Sequence, residues 1–226
     1  MRPMKKEMSS SGTLGVPNCV LIILCEGKHD YAFIREVLRR IIPNIEVKEL
    51  APMRKDQIVS DIIDMRYPPY VPVIVEGGKS RLDKDIGILI SRLRSISKSL
   101  VRVLILRDSD SDNADDAFNE LKSIIERKIE SSFSQGMRPT FYCESKAGFS
   151  SFVLYDCTVR YVTGYEAFLS FILVIKDLEA FLSRYGFNNN DRSSLDAAIG
   201  NALNDPVSSG GVVNIFKRAL GPCVTQ

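Results

Sequence analysis

The stretch from Val20 to Ile34 constrains this chain most, because its apolar pattern changes period at one point. Val20 to Cys25 is a continuous apolar run, Glu26-Gly27 interrupts it, and the apolar positions resume at Phe33, Ile34, Val37, Leu38 and Ile41. A short run rich in Val, Ile and Leu and closed by glycine predicts a strand buried on both faces. The later spacing predicts one face of a helix. Glu26 therefore stands where a parallel strand ends and a helix begins, the edge of an open α/β sheet at which ligands bind. A carboxylate there is costly to bury, so it is solvated, paired or holding a metal.

The pattern then repeats. Ile45 to Leu50 alternates as a half-exposed edge strand, and Arg54 to Met65 carries an amphipathic helix that the Tyr67 to Tyr70 cluster breaks. Val71 to Val75 is a second buried strand ending in Glu76-Gly77-Gly78-Lys79, and Leu82, Ile86, Leu89, Leu93 and Ile96 form one helical seam. Arg81, Arg92, Arg94 and Lys98 fall mostly off that seam, as a solvated face or, second, a nucleic-acid surface. Val101 to Leu106 is a third strand, running into Arg107-Asp108-Ser109-Asp110-Ser111-Asp112, with a helix from about Asp115. Strand and helix in alternation predict an α/β, Rossmann-like, mostly parallel sheet with helices on both faces. Pro139 to Cys143 and Phe152 to Asp156 add strands, divided by a loop at residues 144–148. From Tyr165 the pattern is helical, giving an α/β domain over 19–160 and a C-terminal helical extension over 161–226 packed on it. Residues 1–18, charged and then small and polar, predict a disordered arm.

Composition excludes several classes. The 226 residues suffice for one core, and a net charge of +2 gives no global basic excess. Apolar runs such as Ala167 to Ile175 are too short to span a bilayer, which needs about 20 residues. Five widely spaced cysteines with no CxxC pair, namely Cys19, Cys25, Cys143, Cys157 and Cys223, predict reduced thiols in a cytoplasmic protein. The one histidine, His29, excludes multi-histidine metal sites and is taken as a bystander.

Two strands thus deliver acids to one edge: Glu26 from the first, and Asp108, Asp110 and Asp112 from the third. In extended chain, Asp108 and Asp110 point the same way and converge. Oxygen donors of this kind suit Mg²⁺ or Mn²⁺, and such a site supports in-line attack on a phosphodiester. By itself Asp-Ser-Asp-Ser-Asp is better read as a solvated loop capping the next helix; the strand-end Glu-Gly beside it turns the balance to the metal site.

The apolar strand with Glu-Gly-x-x-Asp over Leu21 to Asp30, and the apolar strand with Asp-x-Asp over Leu104 to Asp110, resemble the Toprim domain of type IA topoisomerases, bacterial primases, small ribosomal-RNA maturases and OLD-family nucleases. The resemblance spans roughly Val20 to Cys143 and implies the Toprim fold. It also implies a general acid/base or metal role for Glu26 and Mg²⁺ binding by Asp108 and Asp110. Gly77-Gly78-Lys79 looks like the glycine turn of stand-alone, OLD-like members, as does Asp112-Asn113-Ala114, where primase and maturase versions often carry glycine. There is no room for a topoisomerase tyrosine domain or a primase zinc module, and no GxxxxGK[ST] sequence for an ATPase.

The expected activity is Mg²⁺- or Mn²⁺-dependent, nuclease-like processing of DNA or RNA. Glu26, Asp108 and Asp110 would be catalytic, and the same three with Asp112 would hold metal. Gly27, Lys28, Asp30, Gly78, Lys79, Arg107 and Lys146 would meet substrate, Asp30 by orienting Lys28 or helping a second ion. A homodimer or a partner protein is compatible with this reading. Glu179, within an ordinary amphipathic pattern, is taken as structural. Two alternatives stand: a non-catalytic Toprim-like module that binds nucleic acid or protein, and a receiver- or phosphatase-type phosphoryl-transfer enzyme that would carry an aspartyl-phosphate.

Overall fold

The computed structural model describes residues 19–64, 68–95, 100–191 and 193–223. The N-terminal arm, Met65, Tyr67, Ile96 and Lys98 lie outside them. The predicted α/β fold is observed: β1 (Cys19–Cys25), α1 (Lys28–Ile41), β2 (Val47–Leu50), α2 (Lys55–Ile63), β3 (Val71–Val75), α3 (Lys79–Leu93), β4 (Leu100–Asp108), α4 (Ala114–Ser132), β5 (Thr140–Phe149), β6 (Phe152–Arg160), β7 (Glu166–Val174), α5 (Leu178–Ser183), α6 (Ser194–Asn204) and α7 (Pro206–Leu220). The strands form one seven-stranded sheet in the order β2-β3-β1-β4-β7-β6-β5. β2, β3, β1, β4 and β7 are parallel, and β6 runs antiparallel to β7 and β5.

Burial fixes the centre of this sheet. Ile22, Ile23 and Leu24 are fully buried, and each such side chain contributes about 1.5–3 kcal/mol, more than the ~1 kcal/mol span of strand propensities. Alternate residues serve two cores. Val101, Val103 and Ile105 of β4 pack with Ile58, Leu82 and Leu121 under α2, α3 and α4. Leu104 and Leu106 pack with Phe33, Leu178, Ile199 and Phe216 under α1, α5, α6 and α7. This alternation decides which way each residue at the end of β4 faces.

Three expectations are corrected. The segment after Tyr165 is not wholly helical, because Glu166–Val174 is a strand inserted between β4 and β6. With both faces covered it shows no period that separates it from a buried helix, and a division at residue 160 would cut the sheet. Residues 144–148 are not a loop: β5 continues through them with an irregularity between Cys143 and Ser145, and the chain turns only after Phe149. Four of the five cysteines are not free thiols, since Cys19 is bonded to Cys223 and Cys143 to its cross-strand partner Cys157, leaving Cys25 free and buried. Among the described residues no helix is long and apolar enough to cross a membrane.

Candidate acidic site at the ends of two adjacent strands

β1 and β4 are neighbours, with Cys25 in register with Leu106, so the residues that follow them meet at one point of the rim. There the Asp108 N–H donates to Glu26 Oε1 at 3.0 Å. One residue past the end of β7, the chain begins its turn into α5, whose first amide, Leu178 N–H, donates to Asp108 Oδ1 at 3.0 Å. Asp30, in the first turn of α1, accepts the Gly27 N–H on Oδ2 at 2.8 Å and is 5% exposed. Glu179 follows Leu178 and accepts from His29 Nδ1 on Oε1 at 2.6 Å.

Four carboxylates, Glu26, Asp30, Asp108 and Glu179, therefore act on one another. Burial, then the negative charges of Asp30, Glu26 and Glu179, push Asp108 up to about 8, against the Leu178 N–H. Burial raises Asp30 to about 7, and the charges of Glu26 and Glu179 add to this while the Gly27 N–H opposes it. Glu26 is raised by burial, partly offset by the Asp108 N–H and the Arg107 charge. Withdrawal from water and like charge together disfavour ionisation.

The remaining residues of the predicted site have other partners. Asp110 does not stand in extended chain: its φ is 54°, a left-handed turn that aspartate tolerates, and its carboxylate pairs with Lys79 Nζ at 2.6 Å. Asp108 and Asp110 are thus held by different groups, although Asp110 remains near enough to raise Glu26. Asp112 is 82% exposed and pairs with Lys176 at 3.2 Å. The amides of Gly77 and Gly78 donate to the Glu26 carbonyl at 2.8 and 3.0 Å, so this turn, with φ of 76° and 131°, buttresses the Glu26 loop and has no hydrogen to offer a phosphate. The Gly27 amide is likewise engaged by Asp30, which faces inward and does not orient Lys28. Lys28 itself is exposed at the first position of α1.

Arg107 and Lys146 do not reach the rim as phosphate contacts. Arg107 falls on the side of Val103 and Ile105, toward α3; it is fully buried and forks onto Asp83, with Nε to Oδ1 at 2.8 Å and Nη2 to Oδ2 at 3.1 Å. Lys146 lies in edge strand β5 and pairs with Asp115 of α4 at 2.6 Å. A further cluster was not evident in the sequence: Glu76, beyond β3, is fully buried and pairs with Lys55 at 2.9 Å, and Lys55 also pairs with Asp85. Burial raises Glu76 although Lys55 opposes it.

His29 and Glu179 are the side chains that sequence reasoning undervalued. The available signal was positional: a carboxylate two residues into the helix that follows an apolar run, and a histidine three residues after the strand-end glutamate.

Oxygen-only donors at a strand end are of the right chemistry for a hard divalent cation. Among the described residues, however, no three such side chains stand close enough together to enclose one as they are placed. Compared with known proteins, the chain matches no family model and no curated sequence.

Proposed function

We propose that the chain is a Toprim-like, metal-dependent protein that processes phosphodiesters of DNA or RNA, acting at the Glu26–Asp108 end of the sheet. One observation carries this reading: four carboxylates are crowded and half-withdrawn from water at adjacent strand ends, at a cost that a divalent cation would offset. The resemblance of the Glu-Gly-x-x-Asp and Asp-x-Asp segments supports the same assignment.

In this reading Asp108 and Asp110 would hold Mg²⁺ or Mn²⁺, with Lys79 giving up Asp110 to the ion, and Asp112 would be an outer ligand. A bound divalent cation supplies a lowered pKa for water and charge neutralisation on the phosphate. Glu26, its carboxyl raised by burial, takes a proton from the attacking water, a metal-ligand role being the other use of the same group. Lys79, once released, and Lys28 offer cations to the phosphate backbone. The two disulfides fit an oxidising compartment or the disulfide-rich interior of a hyperthermophile better than an ordinary cytoplasm.

The test is incubation of labelled single- and double-stranded DNA and RNA with Mg²⁺ or Mn²⁺. Wild type is expected to cleave at least one of these, and Asp108→Asn to lose about 10³-fold or more, the several kcal/mol that metal catalysis supplies, with an unchanged circular dichroism spectrum. Unchanged turnover in the variant contradicts the proposal. A recognition module is favoured by one feature, the basic side chains Lys79 and His29 that already pair with Asp110 and Glu179; it predicts steeply salt-dependent binding with no cleavage under either metal.

A further inference from the structure

The pairing of His29 with Glu179 goes beyond an α1–α5 surface bridge. The pair spans 2.6 Å, with the two side chains 34% and 30% exposed, a setting in which an ion pair contributes only about 0–1 kcal/mol. Stability is therefore a weak reason for so constrained an arrangement. The imidazole is held on two sides, by the Glu179 carboxylate and by the Phe187 ring, which meets it edge-on at 5.3 Å. A carboxylate oxygen accepts, so Nδ1 carries the hydrogen, and Nε2 has no protein partner among the described residues. The residue before Glu179 donates its amide to Asp108, and the charge of Glu179 reaches both Asp108 and Asp30. The dyad is thus fastened to the acidic centre through α5 and borders it from α1.

We propose that His29 is a catalytic residue that protonates the leaving oxygen of the phosphodiester, and that Glu179 is a positioning residue fixing its ring and tautomer. This rests on the phosphodiester reading above. As water oxygen bonds to phosphorus, its proton passes to Glu26. The phosphorus–oxygen bond to the leaving group breaks, its electron pair stays on the departing oxygen, and that oxygen takes the proton from Nε2. The ring enters the step as imidazolium, with hydrogens on both nitrogens, and leaves it as neutral imidazole with its hydrogen on Nδ1 toward Glu179; exchange with solvent restores both groups.

A leaving-group comparison separates this role from a structural one. Sugar alkoxides need a proton to depart, whereas p-nitrophenolate does not. His29→Gln is expected to lose about 10²- to 10⁴-fold against an oligonucleotide, the range of general acid catalysis, but at most about 10-fold against bis(p-nitrophenyl) phosphate. Glu179→Gln is expected to show the same selectivity with a smaller loss. Equal losses on both substrates, or none on either, in a His29→Gln protein whose circular dichroism matches wild type overturn the proposal and leave the metal-dependent cleavage standing. Failure of wild type to cleave either substrate with Mg²⁺ or Mn²⁺ overturns both.

Discussion

In metal-free buffer at about pH 8.5, Asp108→Asn is expected to be more stable than wild type by roughly 2–4 kcal/mol, seen as a melting temperature higher by roughly 4–16 °C. Asp108 titrates near 8 in the folded protein, raised from 3.8 by burial and by three neighbouring carboxylates. Between those two values the unfolded chain has released a proton that the native state still holds, so stability falls as pH rises through the window. Below it Asp108 is neutral in both states and contributes nothing. Asparagine is neutral throughout and keeps an oxygen to accept the Leu178 N–H, so its advantage should shrink as the pH approaches about 4, the ordinary aspartate range. Melting curves of both proteins across this range check the prediction, and a variant less stable than wild type at every pH would show that the carboxylate is not strained by its neighbours. Asp30, raised to about 7, adds a cost of the same sign in both proteins. A residue whose removal stabilises the fold while ending activity is the expected signature of a working site.

Arg107→Met is expected to be the most damaging of the substitutions considered, costing about 3–5 kcal/mol, because it leaves the Asp83 carboxylate in the core without its partner. Arg107 is fully buried and Asp83 is 11% exposed, so water cannot replace the lost fork. With each kcal/mol worth roughly 2–4 °C in a chain of this size, the melting temperature should fall by about 6–20 °C. In the double variant Arg107→Met, Asp83→Leu no charge is left unpaired, and most of the loss should return, as buried pairs replaced by apolar residues of similar volume are often neutral. An Arg107→Met protein that melts like wild type but binds nucleic acid poorly would restore Arg107 to the phosphate surface and refute its structural assignment.

Arg107 also shows where sequence reasoning stopped. The strand ending at Asp108 was evident from its apolar run, and so was the neighbouring strand that carries Glu26. Alternation along β4, with Val103 and Ile105 on one face and Leu104 and Leu106 on the other, sends Arg107 and Asp108 to opposite sides of the sheet. Proximity in sequence suggested a shared rim, but the pleat separates the two residues. The same alternation fails for Asp110, because the chain leaves extended geometry after Asp108 and turns left-handed at Asp110. β7 was hidden for another reason: a strand covered on both faces has no period, and its parallel neighbour β4 is distant in sequence. Missing β7 also concealed the site's fourth carboxylate, since it is the turn after this strand that lays Leu178 on Asp108 and brings Glu179 to His29. The glycines after β3 were found, but their role is read only from their partner, the Glu26 carbonyl. The core alternation of strand and helix was legible because each element buries a face whose period is fixed by backbone geometry; the site was half legible because its members come from four segments joined only in three dimensions.

The central claim is that the crowded acids are a divalent-cation site. Isothermal titration of Mg²⁺ and of Mn²⁺ into wild type and into the double variant Glu26→Gln, Asp108→Asn tests it most directly. Saturable binding to wild type that disappears in the folded double variant is the result predicted. Identical isotherms for the two proteins, or no binding to wild type at millimolar metal, would contradict it.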